Sequence, residues 1–146
     1  MLTLNRLLIA SLLTAFSLFS SITFAEQSLR FANLQVHYIA LPTTFLQPEI
    51  AQQYGIKRSK FTGLINISVL DENDNLKAVA AQLSGTGKNL IGQVETLNFK
   101  EIREGEAIYY IATYPFSNEE IVNFSIAIKS ANTTNTLKFQ HKFYTE

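Results

Sequence analysis

Apolar and polar residues alternate along most of this chain, and that alternation restricts its fold more than any other feature. The stretches 34–38, 65–69, 122–128 and 137–143 all repeat with a period of two. That period places successive side chains on opposite faces of a strand, so each stretch has one apolar and one polar face. Turn-forming residues separate the stretches at fairly regular intervals. The pattern therefore predicts an all-β fold of antiparallel strands.

The stretch 107–114 differs from the others because apolar or aromatic side chains lie on both of its faces. Such a strand is typical of the centre of a sheet, with a further layer covering its second face. In all, about seven strands are expected, which is the number that an immunoglobulin-like sandwich uses. We therefore predict one immunoglobulin-like antiparallel β-sandwich domain over residues 26–146.

The alternation is interrupted at two places that need a local interpretation. Residues 84–89 are rich in turn-forming types and predict a turn between strands, without the spacing of a phosphate-binding loop. Leu97 and Phe99 are out of phase with Val94 and Ile102, which indicates a bulge or a ragged start to the strand there. Neither feature changes the predicted fold class.

The segment 41–60 shows no alternation at all. Pro48 suits the first turn of a helix and Gly55 suits the position just after its end, so we predict one short helix within residues 44–56. A connection of this length inside a small domain is uncommon and is often functional. We expect the segment to fold back over a sheet face, and the second face of strand 107–114 is the natural candidate.

The first 25 residues have the pattern of a cleavable signal peptide. Arg6 supplies a positive charge, residues 7–19 form an apolar run, and Thr23-Phe24-Ala25 places small residues three and one before the next bond. The run is shorter than the roughly 20 residues that span a bilayer. The chain has no cysteine, which excludes a lipoprotein anchor and favours a bacterial envelope protein. We predict cleavage after Ala25, export to the periplasm, and no membrane insertion after cleavage.

Charge and composition argue against several classes of partner. The sequence has 12 Lys and Arg residues against 12 Asp and Glu residues. Nucleic acid and anionic lipid usually bind proteins with a basic excess, so we expect no nucleic-acid partner. The two histidines, His37 and His141, are too few for a metal site in a chain whose one methionine is residue 1. We expect no metal and no cofactor, and His141 as a buried core residue.

No arrangement of a nucleophile with a base is recognisable in the sequence. The serines lack a Gly-x-Ser-x-Gly elbow. The carboxylates Glu101, Glu104 and Glu106 alternate with basic residues near a predicted hairpin, which is typical of a solvated rim. We therefore expect that the protein is not an enzyme.

Several stretches of this sequence resemble a known family. They are FLQPE at 45–49, YGIKRSK at 54–60, GLINISV at 63–69, IREGEAIYY at 102–110 and FY at 143–144. Together they are similar to short exported proteins of gammaproteobacteria that carry only a domain-of-unknown-function label. The resemblance implies a periplasmic β-sandwich and no assigned activity, and it transfers no functional residue to this chain.

Two functions remain open on the sequence alone. The first is a non-enzymatic periplasmic module that binds a protein or peptide partner through segment 41–60 or a sheet edge. The second is a binder of a small ligand, with a pocket between segment 41–60 and the aromatic strand 107–114. The candidate binding residues are Phe45, Tyr54, Arg58, Lys60, Tyr110 and Tyr114.

Overall fold

A computed structural model describes residues 26–145 of the chain. These residues form ten strands, one α-helix and one 3-10 turn. The first half contains β1 (Gln27–Phe31), β2 (Leu34–Pro42), the 3-10 turn (Thr43–Phe45), α1 (Pro48–Tyr54), β3 (Thr62–Asp71) and β4 (Lys77–Ala78). The second half contains β5 (Gln82–Asn89), β6 (Val94–Leu97), β7 (Lys100–Glu104), β8 (Ala107–Pro115), β9 (Glu120–Ser130) and β10 (Thr133–Phe143).

The strands form two antiparallel sheets that pack face to face. One sheet has the order β1-β2-β3-β8-β7, with the two-residue β4 added to β3, and the other has the order β10-β9-β5-β6. Every strand pair is antiparallel. The predicted antiparallel β-sandwich is therefore confirmed, with ten strands rather than about seven. No helix within residues 26–145 is long and apolar enough to cross a membrane.

The change of phase between Val94 and Ile102 marks a change of sheet. β6 pairs with β5 in the four-stranded sheet, whereas β7 pairs with β8 in the six-stranded sheet. Leu97 points into the core between the sheets, but Ile102 is buried on the outer face of the six-stranded sheet. One predicted strand is therefore two strands in different sheets. A switch of sheet and a bulge give the same phase shift, so the sequence pattern alone does not separate them.

Residues 84–89 lie within β5, so the predicted turn there is wrong. The glycines serve close packing instead of a turn. A Cβ atom on Gly87 would lie 2.5 Å from the Tyr114 ring, and one on Gly85 would lie 2.6 Å from the Ser125 carbonyl oxygen. Both distances are far below van der Waals contact, so any side chain at these positions would push the sheets or strands apart. The actual turn is the next four residues, 90–93.

Aromatic rings fill the space between the sheets near one end of the sandwich. Tyr114 from β8 meets Phe124 from β9 edge to face at 5.4 Å between ring centroids. Phe143 from β10 stacks on Phe116 at 4.5 Å, and Phe124 stacks on Phe139 at 4.9 Å. Such pairs stabilise a core by about 0.5–1.5 kcal/mol each beyond the area that they bury. The rings therefore join strands of both sheets.

The helical segment has the predicted local structure. Pro48 is the first residue of α1, and Gly55 ends the helix in the left-handed region at φ 68°. Glu49 lies in the first turn, where a carboxylate complements the helix dipole. The helix packs on the outer face of β7 and β8, where the Lys100 ammonium donates a hydrogen bond to the Tyr54 carbonyl oxygen at 3.2 Å. The expected cover over strand 107–114 is therefore present.

His141 lies on the inward side of β10 but at the margin of the core. Its ring contacts Phe143 edge to face at 4.4 Å, and it borders a cavity of about 230 Å³ together with Tyr38 and Gln27. Burial lowers the pKa of His141 below its ordinary value. The imidazole is therefore only partly buried, and the expectation of a core histidine holds in part.

We predict that Gly87→Ala destabilises the protein by about 1–3 kcal/mol, because the added methyl group overpacks the core against Tyr114. Ser84→Ala, on the exposed face of the same strand, is the control and should change stability by less than about 0.5 kcal/mol. Urea unfolding followed by circular dichroism measures both. Equal midpoints for Gly87→Ala and wild type would contradict the packing described here.

A second prediction concerns pH. Because the pKa of His141 is lower in the folded protein, the unfolded chain binds more protons between the two values, and stability rises with pH through that window. We expect the free energy of unfolding to decrease as pH falls below about 6.5, and His141→Leu to remove that part of the decrease. Urea titrations at several pH values measure it. His37→Gln, which keeps His141, should retain the decrease; identical pH profiles for His141→Leu and wild type would refute the assignment.

Candidate functional site

Strand register brings several loops together at one end of the sandwich. Pro42 pairs with Gly63, and Thr62 pairs with Pro115, at the end of the six-stranded sheet. The short connection between β8 and β9 places the corresponding end of the four-stranded sheet beside it. The connecting residues form what we call the loop end: residues 43–46, 57–61, 90–94, 116–119 and 144–145.

Large apolar side chains are concentrated at the loop end. Six of the nine exposed large hydrophobic residues among residues 26–145 lie there, although the loop end is a small part of the surface. Exposed apolar side chains that form a large patch on a monomeric protein often mark a binding site. The six, with their exposed fractions, are Phe45 (49%), Phe61 (52%), Leu90 (68%), Ile91 (80%), Val94 (55%) and Tyr144 (45%).

The connection between β8 and β9 fixes the other loops in place. The Phe116 N–H donates to the Phe61 carbonyl oxygen at 2.9 Å, which ties segment 57–61 to this connection. Asn118 accepts a hydrogen bond from the Thr145 N–H on its side-chain oxygen at 3.0 Å, which ties down the end of the chain. Three of the loop-end segments are thus joined by backbone N–H groups.

Glu120 links the hairpin loop 90–94 to the connection between β8 and β9. One carboxylate oxygen accepts from the Asn89 side-chain amide at 2.7 Å, and the other accepts from the Ser117 N–H at 2.9 Å. The Asn89 side chain also accepts from the Gln93 N–H at 2.8 Å, and the Asn89 N–H donates to the Gln93 carbonyl oxygen at 3.1 Å. The hairpin tip is therefore held at its base, with Leu90 and Ile91 directed to solvent.

Segment 43–61 is closed by its own clamp. The Thr43 hydroxyl, which is fully buried, donates to the Ser59 carbonyl oxygen at 3.0 Å and accepts from the Ser59 N–H at 2.9 Å. The Arg58 guanidinium donates to the Thr44 carbonyl oxygen at 2.8 Å. The Lys60 ammonium lies 5.2 Å from the centre of the Phe61 ring, within the range of a cation–π contact. The segment is therefore a rigid part of the loop end.

The structure brings some of the predicted binding residues together and separates others. Phe45, Arg58 and Lys60 lie at the loop end. Tyr54 lies on the outer face of the six-stranded sheet, where its hydroxyl hydrogen-bonds to the Glu104 carboxylate. Arg58 is engaged with its own segment, so Lys60 is the more available of the two cations there.

Tyr110 and Tyr114 lie in the core, with 3% and 2% of their surface exposed. They face inward because they alternate with Tyr109 and Ile111, and segment 41–60 covers the other face. The prediction that segment 41–60 covers strand 107–114 was correct. The prediction that Tyr110 and Tyr114 face that segment was wrong. Neither tyrosine is therefore available to a partner in this structure.

A small cavity of about 150 Å³ does lie between segment 41–60 and strand β8. Its walls include Tyr54 and Ile56 on one side and Ile102, Ile111 and Thr113 on the other. Pockets for drug-sized ligands usually measure about 300–1,000 Å³, so this cavity holds little more than a small solute or a few water molecules.

A polar network beside the core involves Tyr110, Glu101 and Arg103. The Tyr110 hydroxyl accepts from the Ala81 N–H at 2.7 Å and lies 3.3 Å from a Glu101 oxygen. The hydrogen bond from Arg103 lowers the pKa of the Glu101 carboxyl, and burial raises the pKa of Tyr110. The Glu101 carboxylate is therefore hydrogen-bonded by both the Arg103 guanidinium and the Tyr110 hydroxyl.

Sequence reasoning missed Phe61, Leu90, Ile91 and Tyr144. The available signal was the run Leu90-Ile91-Gly92, since two large apolar residues directly before a glycine are unusual in a turn. This signal could be used only if the turn was assigned to residues 90–93. The glycines of β5 instead led to a predicted turn at residues 84–89.

Comparisons with known proteins agree with this architecture. A family model described as "Domain of unknown function (DUF4426)" matches residues 28–146. The chain belongs to the DUF4426 family. A crystal structure of a DUF4426 protein from Pseudomonas aeruginosa PAO1 is similar to it, with 34% identity, a TM-score of 0.74, and coverage of 83% of this chain and 96% of that one. No protein with a curated description matches the sequence.

The DUF4426 chain also shares its fold with FetP from uropathogenic Escherichia coli strain F11. A copper-bound FetP variant has a TM-score of 0.60 at 10% identity, with 84% of this chain and 100% of that one covered. An as-isolated FetP that was expressed in the periplasm of E. coli has a TM-score of 0.59 at 10% identity, with coverage of 84% and 98%. At this identity the likeness is one of fold.

Metal ligands are sparse in the described part of this DUF4426 protein. Residues 26–145 contain no group of three or more His, Cys, Asp or Glu side chains placed to hold a metal ion. His37 lies on the outward side of β2, 3.6 Å from the Glu26 carboxylate, whereas His141 faces inward on β10. The two imidazoles therefore occupy different surfaces.

We predict that Asn89→Ala lowers stability by about 1–3 kcal/mol, because the Gln93 N–H loses its side-chain acceptor and one oxygen of the Glu120 carboxylate loses its donor. Amide hydrogen exchange should quicken at residues 90–93 and 117–118 and stay slow in β2 and β3. Asn123→Ala, on the exposed face of β9, is the matched control. Unchanged exchange in the hairpin of Asn89→Ala would show that the tip is not held by this residue.

Proposed function

We propose that this DUF4426 protein is a non-enzymatic periplasmic interaction module that binds a protein or peptide partner through its loop end. The observation that carries the proposal is the concentration of exposed apolar side chains on loops that are hydrogen-bonded to one another. Rigid loops on a β-sandwich bind partners at low entropic cost, because little ordering remains to be done on association.

The chemistry of the loop end fits a protein partner. Leu90 and Ile91 form an exposed apolar tip, and Phe45 and Phe61 are half-exposed rings on other loops of the same end. Interfaces are enriched in such anchors at their centre and in polar groups at their rim. Lys60 and the exposed residue Lys57 supply rim charges that favour carboxylates on the partner.

The small-ligand function has less support. The cavity between segment 41–60 and β8 measures about 150 Å³, and the aromatic residues expected to line it are buried in the core. An exposed apolar surface at the end of a sandwich suits a macromolecule better than a solute. The proposal that the protein is not an enzyme is supported by the Glu101–Arg103 pair, which leaves that carboxylate ionised and occupied.

Periplasmic location is part of the proposal. Its support is the sequence pattern of residues 1–25, which lie outside the described residues, together with a fold shared with a FetP protein that was expressed in the periplasm. Intact-mass measurement of the protein from a periplasmic extract should give a chain that begins at Glu26. Retention of Met1 would contradict export by cleavage.

Site-specific photo-crosslinking tests the loop end directly. A photoreactive amino acid at position 91 should crosslink a discrete protein in the periplasm of the native organism, because that side chain is 80% exposed at the tip. Position 76 is the control, since Leu76 is 49% exposed in the turn between β3 and β4 at the other end of the domain. Equal crosslinking from positions 91 and 76 would contradict the proposal.

Two double variants then distinguish residues that stabilise the domain from residues that contact the partner. Leu90→Ser with Ile91→Ser should change stability by less than about 0.5 kcal/mol, because both side chains are exposed, and should abolish the crosslink formed from position 45. Lys57→Glu with Lys60→Glu should weaken the same crosslink without unfolding the domain. If the crosslink survives both double variants, the partner does not bind at this end.

A further inference from the structure

The outward-facing side of the four-stranded sheet is a second surface with its own chemistry, apart from the loop end. We call this the basic face, and it consists of the outward positions of β5, β6, β9 and β10. Its charged side chains are Lys88, Lys129, Lys138 and Lys142, and no Asp or Glu occupies an outward position on these strands. Serine, threonine, asparagine and glutamine fill most of the other positions.

Strand register sets the spacing of these groups. Lys138 lies opposite Ser125, and Lys88 lies opposite Asn123, so cations and neutral polar groups alternate across adjacent strands. Lys142 lies opposite Ile121 near the start of β9, whereas Lys129 lies near the end of that strand. The basic face therefore extends about 25 Å along the strands. The basic face is therefore a long and polar surface.

Three of the four lysines have no carboxylate partner. Lys88, Lys129 and Lys138 are exposed, and none of them forms an ion pair or a side-chain hydrogen bond within residues 26–145. Lys142 differs, because its ammonium lies 3.2 Å from the Glu119 carboxylate. The unpaired ammonium groups give this side of a nearly neutral protein a positive potential.

Three of the four Lys and Arg residues on the six-stranded sheet are paired with carboxylates, and the fourth, Lys100, donates to a backbone carbonyl oxygen. The Arg103 guanidinium lies 2.6 Å from the Glu101 carboxylate, and the Lys77 ammonium lies 3.9 Å from the Asp74 carboxylate. The basic face thus differs from the six-stranded sheet in its unpaired lysines. Such a face favours an anionic partner.

We propose that the basic face binds an acidic polysaccharide. Ammonium groups at positions 88, 129 and 138 pair with the carboxylate, sulfate or phosphate groups of the polymer, and hydroxyl and amide side chains between them hydrogen-bond to sugar hydroxyls. A long face with spaced cations suits an extended chain with regularly spaced charges. A bilayer surface fits less well, because apolar side chains that would enter lipid are few on this face.

Fluorescence anisotropy with fluorescein-labelled heparin, a sulfated polysaccharide, tests the proposal on the mature protein. The test variant combines Lys88→Gln, Lys129→Gln and Lys138→Gln. The control combines Arg30→Gln, Lys77→Gln and Lys100→Gln, which removes the same charge from exposed positions on the six-stranded sheet. Thermal melts verify that both variants are folded.

Wild type and the control should bind heparin with similar affinity at low salt. The test variant should bind at least about tenfold more weakly, and its slope of log Kd against log salt should fall by about two, since three contacts that release counterions are lost. Absence of heparin binding by wild type would overturn the proposal, as would equal losses in the two variants. Sedimentation with phosphatidylglycerol vesicles, but no heparin binding, would assign the face to a membrane instead. Because none of these substitutions touches residues 90–93, this result is independent of the crosslink at position 91.

Discussion

The close approach of the two sheets at the aromatic cluster is the constraint on which the rest of the structure depends. Gly63 and Gly87 face the Phe143 and Tyr114 rings at distances that no Cβ atom could share. Rings from β8, β9 and β10 consequently interdigitate without pushing the sheets apart. The chain has no disulfide to hold its sheets together, so this packing must do so.

The aromatic cluster also supports the loop end, because of where its rings lie along the strands. Tyr114, Phe116 and Phe143 lie at the ends of β8 and β10, directly beneath the loop end. The connection that carries Phe116 is therefore fixed from below by packing, and it fixes the neighbouring loops from above through hydrogen bonds. Apolar side chains can remain exposed at the tip because the backbone that carries them does not need them for stability. That separation of scaffold from contact surface is what a binding loop requires.

Much of the fold followed from the period-two alternation, because one face of the long strands β2, β8, β9 and β10 is more deeply buried than the other. The helix was predictable for a similar reason, since Pro48 and Gly55 mark its two ends by backbone chemistry alone. The strand count was not predictable to the same degree. A chain that changes sheets, as it does between Leu97 and Ile102, keeps its apolar residues buried while reversing the direction in which they point.

The candidate site was predictable only in part, because the sequence does not always show which way a side chain points. Phe45 and Lys60 could be assigned to a functional segment from the length and composition of that segment. Tyr110 and Tyr114 could not be assigned correctly, because strand β8 is apolar on both faces and its sequence does not say which face meets the other sheet. Leu90 and Ile91 were hidden for the opposite reason: their exposure depends on where the turn falls, and glycines required for sheet packing resembled the turn itself.

Alternation also explains how one small domain can carry two surfaces of different character. Inward residues of β5, β9 and β10 are fixed by the core, whereas outward residues on the same strands are free to vary in charge without affecting packing. The basic face and the loop end consequently share only Val94, at the start of β6. FetP shows that the same fold is compatible with copper in another protein, while the two histidines of this chain lie on different surfaces. Since two proteins with 10% identity share this fold, the fold by itself does not determine function, which depends on the side chains that each protein carries.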